Sequence, residues 1–202
     1  MQLSLLEQLD IKGHLTISKA FKDGREEIIF DDHNIIVSGM GVALAHLFAV
    51  SGSDSILDYQ IDRFQVGVKG SSGREVTSTF ELSSPVSSLA EYGLNSYVLA
   101  TSAHQIKNNS VITSPVFYGI IPEQHITRTS ENTVRYTIVL DELACNNLIR
   151  DGSNAFLNEI GLFAKNIKGA NPQAPILVAY RYFGDIRKTE NFSLVFRWSI
   201  SF

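Results

Sequence analysis

The chain has 202 residues, a length that all-β proteins often use for a single domain. Its composition of 44% hydrophobic and 19% charged residues is typical of a globular protein and excludes a disordered chain. The net charge is −4 and the 17 basic residues are scattered, so the chain lacks the basic stripe with which nucleic-acid-binding proteins neutralise phosphates. We therefore expect no nucleic acid partner.

The N-terminal stretch MQLSLLEQLDIKG has no cationic leader and no continuous apolar core, so it does not read as a secretory signal. The longest apolar runs fall short of the roughly 20 residues that a membrane-spanning helix needs. The single cysteine, Cys145, has no partner for an internal disulfide and favours a reducing compartment. We expect a protein made in the cytoplasm, without a membrane partner.

Residues 1–12 are predicted to form an N-terminal arm, followed by one β-sandwich domain over residues 13–202. Four leucines in the arm could form an amphipathic turn or two of helix, which is too short to be stable alone in water. The arm therefore either caps its own core or docks on a neighbouring subunit. In the second case its leucines are the candidate assembly contacts: Leu3, Leu5, Leu6 and Leu9.

A β-hairpin is predicted to open the core. The β-rich segments 14–21 and 25–37 flank Asp23-Gly24, a pair that favours a two-residue turn because glycine accepts a positive φ.

One short core helix is predicted over about residues 38–50. Met40, Leu44, Leu47 and Phe48 recur at helical spacing, and Ser38 is placed to cap the first turn.

A strand at 59–70 leads into a long loop around residues 69–90 that is rich in glycine and serine. Hydroxyl side chains there compete for backbone hydrogen bonds and glycine resists ordering. Loops of this length often carry binding sites, although a passive connector is the commoner case.

The rest of the chain alternates between strands and turns, and the last twelve residues, NFSLVFRWSISF, alternate most strictly. Together the segments predict a mainly β fold, an antiparallel β-sandwich of about nine or ten strands. A closing aromatic residue is also typical of outer-membrane strands, but those proteins need an export signal. We therefore interpret Phe192–Phe202 as a strand shielded by protein.

No catalytic signature is present in the sequence. Cys145 has no adjacent group that would lower its pKa, so a buried inert thiol is the simpler interpretation. The acidic pairs Asp31-Asp32 and Asp141-Glu142 point to opposite faces if extended, and solvated turn carboxylates explain them better. No two histidines have metal-ligand spacing: His14, His33, His46, His104 and His125. We predict no enzymatic activity, no metal and no cofactor.

Carbohydrate binding is the alternative function. The chain has 7 Tyr, 12 Phe and 1 Trp, and β-sandwich loops often carry sugar sites. Most of these aromatic residues fall on the inward phase of their strands. The aromatic residues with the best prospect of exposure are Tyr118, Tyr180 and Tyr182.

Three stretches together resemble bacteriophage virion proteins of the tail, baseplate, neck or fibre-attachment type. They are HNIIVSGMGVALAHLFAV, FQVGVKGSSGREVTSTFEL, and NEIGLFAKN followed by PILVAYRYF and FSLVFRWSISF. The resemblance covers most of residues 30–202 as an ensemble.

The resemblance implies a non-enzymatic virion subunit, assembled in the host cytoplasm with other virion structural proteins. Such subunits usually form a symmetric homo-oligomer, here expected to be a trimer or hexamer. It also suggests that the C-terminal strand is a sheet edge that pairs with a neighbouring subunit. The chain has no long repetitive shaft, so an adaptor or baseplate subunit is favoured over a complete fibre.

Overall fold

The computed structural model describes residues 11–36, 39–49, 56–67, 116–147, 149–150, 153–154, 156–165 and 176–202. The predicted arm before Ile11 and the predicted loop around 69–90 lie outside the described residues, as does Ser38.

The described residues form mainly strands, joined by one α-helix and two short 3₁₀ helices. The elements in chain order are β1 (Lys12–Phe21), β2 (Glu26–Ile36), α1 (Gly39–Phe48), a 3₁₀ helix (Ile56–Tyr59), β3 (Ile61–Gly67), β4 (Val116–Ile120), a 3₁₀ helix (Glu123–His125), β5 (Ile126–Ser130), β6 (Thr133–Leu140), β7 (Ile149–Arg150), β8 (Ser153–Asn154), β9 (Leu157–Ala164), β10 (Ile176–Ile186) and β11 (Phe192–Ser201).

The opening hairpin joins β1 to β2 where the sequence predicts it. The connection is longer than the predicted two-residue turn, because Phe21 N–H donates to Arg25 O at 2.9 Å and encloses three residues. Gly24, with φ of 87°, occupies the left-handed position that such a loop requires. Asp23 accepts from the backbone N–H of Arg25 at 3.0 Å, which stabilises the turn.

Strand β2 belongs to two sheets. Nine strands pair in the order β4-β3-β9-β10-β2-β1-β11-β6-β5, and every pairing is antiparallel. Strand β2 pairs with β1 from Glu26 to Asn34, but with β10 only through Ile35 and Ile36. It therefore crosses from one sheet to the other, and divides the order into two antiparallel layers.

Aromatic rings from the two sheets meet in the core. Phe183 of β10 lies 6.4 Å from Phe30 of β2 and 5.8 Å from Phe196 of β11, measured between ring centroids. Trp198 of β11 is fully buried in the same core. This arrangement confirms the predicted mainly β, sandwich-like fold with one helix.

The C-terminal strand β11 is an interior strand. It pairs with β1 along its whole length and with β6 from Leu194 to Ser201. The suggestion that this strand is an edge awaiting a neighbouring subunit is therefore wrong, since both its edges are occupied within the chain. The strict alternation reflects burial on one face of a central strand.

Helix α1 packs on the sheets through Met40 and Ala43, which are buried. Leu44 and Leu47 are half-buried, whereas Phe48 is exposed. The predicted helical face is therefore right for three residues and wrong for Phe48. Eight residues turn a helix about 80° beyond two full turns, so Phe48 lies to the side of the face that Met40 marks.

Candidate functional site

An apolar groove lies between α1, the 3₁₀ helix Ile56–Tyr59, the start of β3, the middle of β6 and the residue after β11. It encloses about 300 Å³, near the lower limit of typical ligand pockets. Helix α1 provides one wall, and the other wall combines residues of the 3₁₀ helix and β3 with single residues from β6 and the C-terminus. The lining residues are Met40, Ala43, Leu44, Leu47, Leu57, Tyr59, Gln60, Ile61, Tyr136 and Phe202.

Two hydrogen bonds to Asn132 hold Phe202 at the groove. Its N–H donates to Asn132 O at 2.9 Å, and its carbonyl accepts from Asn132 Nδ2 at 3.1 Å. The Thr133 and Ser201 hydroxyls lie 2.9 Å apart beside this clamp. The β5–β6 turn thus fixes the position of Phe202 beside the groove.

None of the described residues that line the groove is Asp, Glu, Lys, Arg or His. Gln60 and two tyrosines are its polar members, and burial raises the pKa of Tyr136 well above its ordinary value. Tyr59 is stacked on the imidazole of His46, with ring centroids 5.1 Å apart. Binding sites for polar ligands place several polar groups toward one point, whereas this lining favours aliphatic side chains.

Exposed apolar side chains flank the groove on the same two elements. Phe48 of α1 is 85% exposed, and Leu57, which also lines the groove, is 59% exposed. Large apolar side chains grouped on one face of a domain are typical of an interaction surface. We refer to the groove together with Phe48 as the α1 face. Val42 is 45% exposed but lies about 160° around the helix from Met40, so it belongs to the opposite side of α1.

The sequence did not identify the α1 face. The predicted assembly contacts, Leu3, Leu5, Leu6 and Leu9, lie outside the described residues, so the structure does not place them. The position of Phe48 around the helix, about 80° from Met40, was the feature of the sequence that could have indicated an exposed aromatic residue here. The contribution of Phe202 depends on strand order, which the local pattern does not encode.

A tight turn at residues 141–147 surrounds the only cysteine. Asp141 Oδ1 accepts from the N–H groups of Leu143 and Ala144 at 2.9 and 3.0 Å, so this member of the acidic pair is a turn carboxylate as predicted. Cys145 and Asn147 adopt left-handed conformations, with φ of 57° and 45°. Cys145 is buried, and burial raises its pKa to about 12, so its thiol is protonated at neutral pH.

Lys188 holds this turn against the β10–β11 connection. It is only 2% exposed, and its amine donates to Asn146 Oδ1 and Thr189 O, both at 2.9 Å. Its carbonyl accepts from Asn147 N–H at 2.9 Å. Burial lowers the Lys188 pKa to about 8. Both hydrogen-bond partners are protein groups, so the cluster has a structural role.

Two of the five histidines converge across the first hairpin. His14 and His33 are paired between β1 and β2, with ring centroids 5.6 Å apart, and His14 Nε2 lies 3.3 Å from Asp31 Oδ1. Asp31 and Asp32 lie on strand β2, so their interpretation as turn residues is wrong. Across the described ranges, no three His, Cys, Asp or Glu side chains form a metal-binding group.

A second, more polar cleft of about 380 Å³ lies where β10 ends. Lys19, Asp185 and Arg187 line it together with Ile29, Phe183, Gly184 and Ile186. Asn158 Nδ2 donates to Asp185 Oδ1 at 3.0 Å and holds the carboxylate in place.

The structure describes the side chains of two of the three tyrosines expected to be exposed. Tyr180 is buried and donates to Glu159 Oε2 at 2.7 Å, so its expected exposure is wrong. Tyr182 is half-buried, and the side chain of Tyr118 lies outside what the structure describes.

Among the helices that the structure describes, none combines the length and apolar character needed to cross a bilayer. The chain matches no protein-family profile, no curated protein and no solved structure.

Proposed function

We propose that the chain is a non-enzymatic structural subunit of a bacteriophage virion, acting in a tail, baseplate, neck or fibre adaptor. In this proposal it assembles in the host cytoplasm as a symmetric homo-oligomer, a trimer or hexamer, and binds other virion structural proteins. Its activity is the burial of surface against those partners.

The α1 face is the observation that carries this proposal. Phe48 is 85% exposed and lies beside an apolar groove, none of whose described lining residues is Asp, Glu, Lys, Arg or His. A subunit that remains alone in water gains nothing from presenting such a side chain, whereas a protein–protein interface buries it. Stable assemblies commonly bury about 1,200–2,000 Å² per interface, and the α1 face is a suitable centre for one.

The virion assignment rests on the three sequence stretches that resemble phage tail and neck proteins. The stretch HNIIVSGMGVALAHLFAV includes the whole of α1 and therefore most of the apolar side chains of the proposed contact. The assembly part of the proposal stands on the α1 face alone, whatever particle the subunit serves.

The N-terminal leucines provide the first test. We expect the triple variant Leu3→Asp, Leu6→Asp, Leu9→Asp to remain folded and to become monomeric, because three carboxylates cannot enter an apolar contact. Light scattering of the wild type and the variant measures the mass, and circular dichroism checks folding.

A matched control adds the same charges to polar positions of the same segment, as Gln2→Asp, Ser4→Asp and Gln8→Asp. This control should retain the oligomer. A wild type that is monomeric at every concentration would refute assembly as the function. Unfolding of the leucine variant would instead assign the leucines to an intramolecular cap.

Carbohydrate recognition is the second candidate, and the polar cleft at the end of β10 favours it. The cleft combines Asp185, Lys19 and Arg187 with an apolar floor, which suits a hydroxyl-rich ligand better than the α1 face does. A glycan array decides between the two. Specific binding that is lost in Asp185→Asn would support the sugar site, and an array without signal would favour the structural role.

A further inference from the structure

We propose that the apolar groove of the α1 face receives the N-terminal arm, residues 1–10, of a second copy of this chain. The inference rests on the proposed function, since it names the partner segment through which the subunits would join.

The point where the arm leaves the sheet lies at the groove. Lys12 is paired with Ser201 across β1 and β11, and the next residue, Phe202, lines the groove. The arm precedes Ile11, so it departs from the strand end beside Phe202. Ten residues span at most about 33–36 Å, which is ample to cross the α1 face of an adjoining subunit.

The chemistry of the arm matches that of the groove. The arm reads MQLSLLEQLD, so its apolar residues are a methionine and four leucines. The described residues of the groove lining are mainly aliphatic and aromatic, with no Asp, Glu, Lys, Arg or His among them. Leucine side chains can enter such a surface without leaving a polar group unsatisfied.

The exposed residues around the groove favour an arm from a second copy over the subunit's own arm. An arm lying in its own groove would leave Phe48 on the neighbouring side of α1 in water. When a second copy packs on the α1 face, it covers Phe48. It also brings the departure point of its own arm to the same interface. In a closed trimer or hexamer each arm then fills the groove of the next copy.

A complementation experiment separates the two arrangements. The arm variant carries Leu3→Asp, Leu6→Asp and Leu9→Asp, and the groove variant carries Leu47→Glu, which places a charge in the groove wall. Each is expected to be monomeric alone. Mixed in equal amounts, they should form one-to-one pairs of twice the 22.4 kDa subunit mass, because one partner keeps its groove and the other its arm.

A second measurement needs no groove substitution. A fluorescent peptide with the sequence of residues 1–10 should bind the arm variant, as followed by fluorescence anisotropy. Binding should weaken at least about tenfold when Leu47→Glu is added, because a carboxylate is costly to desolvate in an apolar groove. The matched control is Val42→Glu, which adds the same charge at an exposed position of α1 outside the groove lining and should retain peptide binding.

The outcomes distinguish this inference from the proposed function. A mixture that stays monomeric, or a peptide that does not bind the arm variant, would overturn arm exchange. So would a groove variant that remains oligomeric. In each case an oligomeric wild type would leave the assembly proposal standing. A monomeric wild type would refute both.

Discussion

At the scale of single residues, Lys188 is the group whose charge depends most on the fold. Burial lowers its pKa to about 8 from the ordinary 10.5, while the unfolded chain keeps the ordinary value. Above pH 8 the folded protein therefore releases a proton that the unfolded chain still holds. Raising the pH favours the folded state in this window.

This gives a prediction for stability against pH. Between pH 8 and pH 9 the free energy of unfolding should change by about 1 kcal/mol more favourably in the wild type than in Lys188→Met. Urea unfolding at closely spaced pH values measures it. The Cys145 thiol, with an ordinary pKa of 9.0, ionises in the unfolded chain within this window and has the opposite effect on stability, equally in both proteins.

The comparison uses the slope of the free energy of unfolding against pH, so an overall loss of stability in Lys188→Met does not affect it. Cys145→Ala is the control, and should show a steeper rise than the wild type between pH 8 and pH 9, because it lacks the opposing thiol. Parallel curves for the wild type and Lys188→Met would contradict the assignment of the rise to this amine.

At the scale of elements, two exposed glycines allow the effect of backbone conformation on stability to be measured without an effect of packing. A Cβ added to Gly24 or to Gly41 meets nothing within 4 Å, but Gly24 has φ of 87° in the β1–β2 turn while Gly41 lies in the first turn of α1. Gly24→Ala should therefore destabilise the protein by about 1 kcal/mol. Gly41→Ala should stabilise it by up to about 1 kcal/mol.

Each glycine variant is the matched control of the other, because both add one methyl group in open space. Thermal unfolding of the two proteins side by side measures the difference. If both variants were destabilised equally, conformation would not be the cause.

The sequence predicts where the strands lie better than it predicts which strands pair with each other. Alternation of apolar residues in Phe192–Ser201 and Thr133–Leu140 identifies two strands with one face in the core, because this pattern is a local property of the sequence. It does not show that β11 is buried on both faces from Phe192 to Phe196. The partners of both strands are set by contacts between residues far apart in the chain. The pattern therefore could not show that β11 is an interior strand or that β2 crosses between sheets.

The same limit applies to the candidate site, because the sequence predicts its helix but not the residues that the fold brings opposite that helix. The helix that forms one wall of the groove is readable from Met40, Leu44 and Leu47. The opposite wall brings Tyr136 and Phe202 together with Leu57, and only the folded topology does so. The leucines that the sequence did single out, Leu3, Leu5, Leu6 and Leu9, remain predictions, because they lie outside the described residues.

At the scale of the whole molecule, β2 links the two sheets into one cooperative unit. Its first part pairs with β1 and its last two residues pair with β10, while Phe183 packs between Phe30 and Phe196. Neither sheet can separate without breaking this strand's pairing and the shared core. We expect a single unfolding transition.

The chain reports on this transition through its one tryptophan. Trp198 is fully buried in β11, so its fluorescence follows the sheet that contains β1, β11 and β6. Far-UV circular dichroism follows all the strands together. The two curves should coincide in urea, and a fluorescence change that precedes or follows the dichroism change would show that the sheets unfold separately.

The clamp between Phe202 and Asn132 has a practical consequence for solution experiments. An affinity tag attached after Phe202 would emerge at the rim of the groove and would obstruct the packing of a second subunit there. The β1–β2 turn is the safer attachment point. The ten residues of β1, Lys12–Phe21, separate this turn from the groove, which places a fluorophore on Lys22 about 30 Å from that rim.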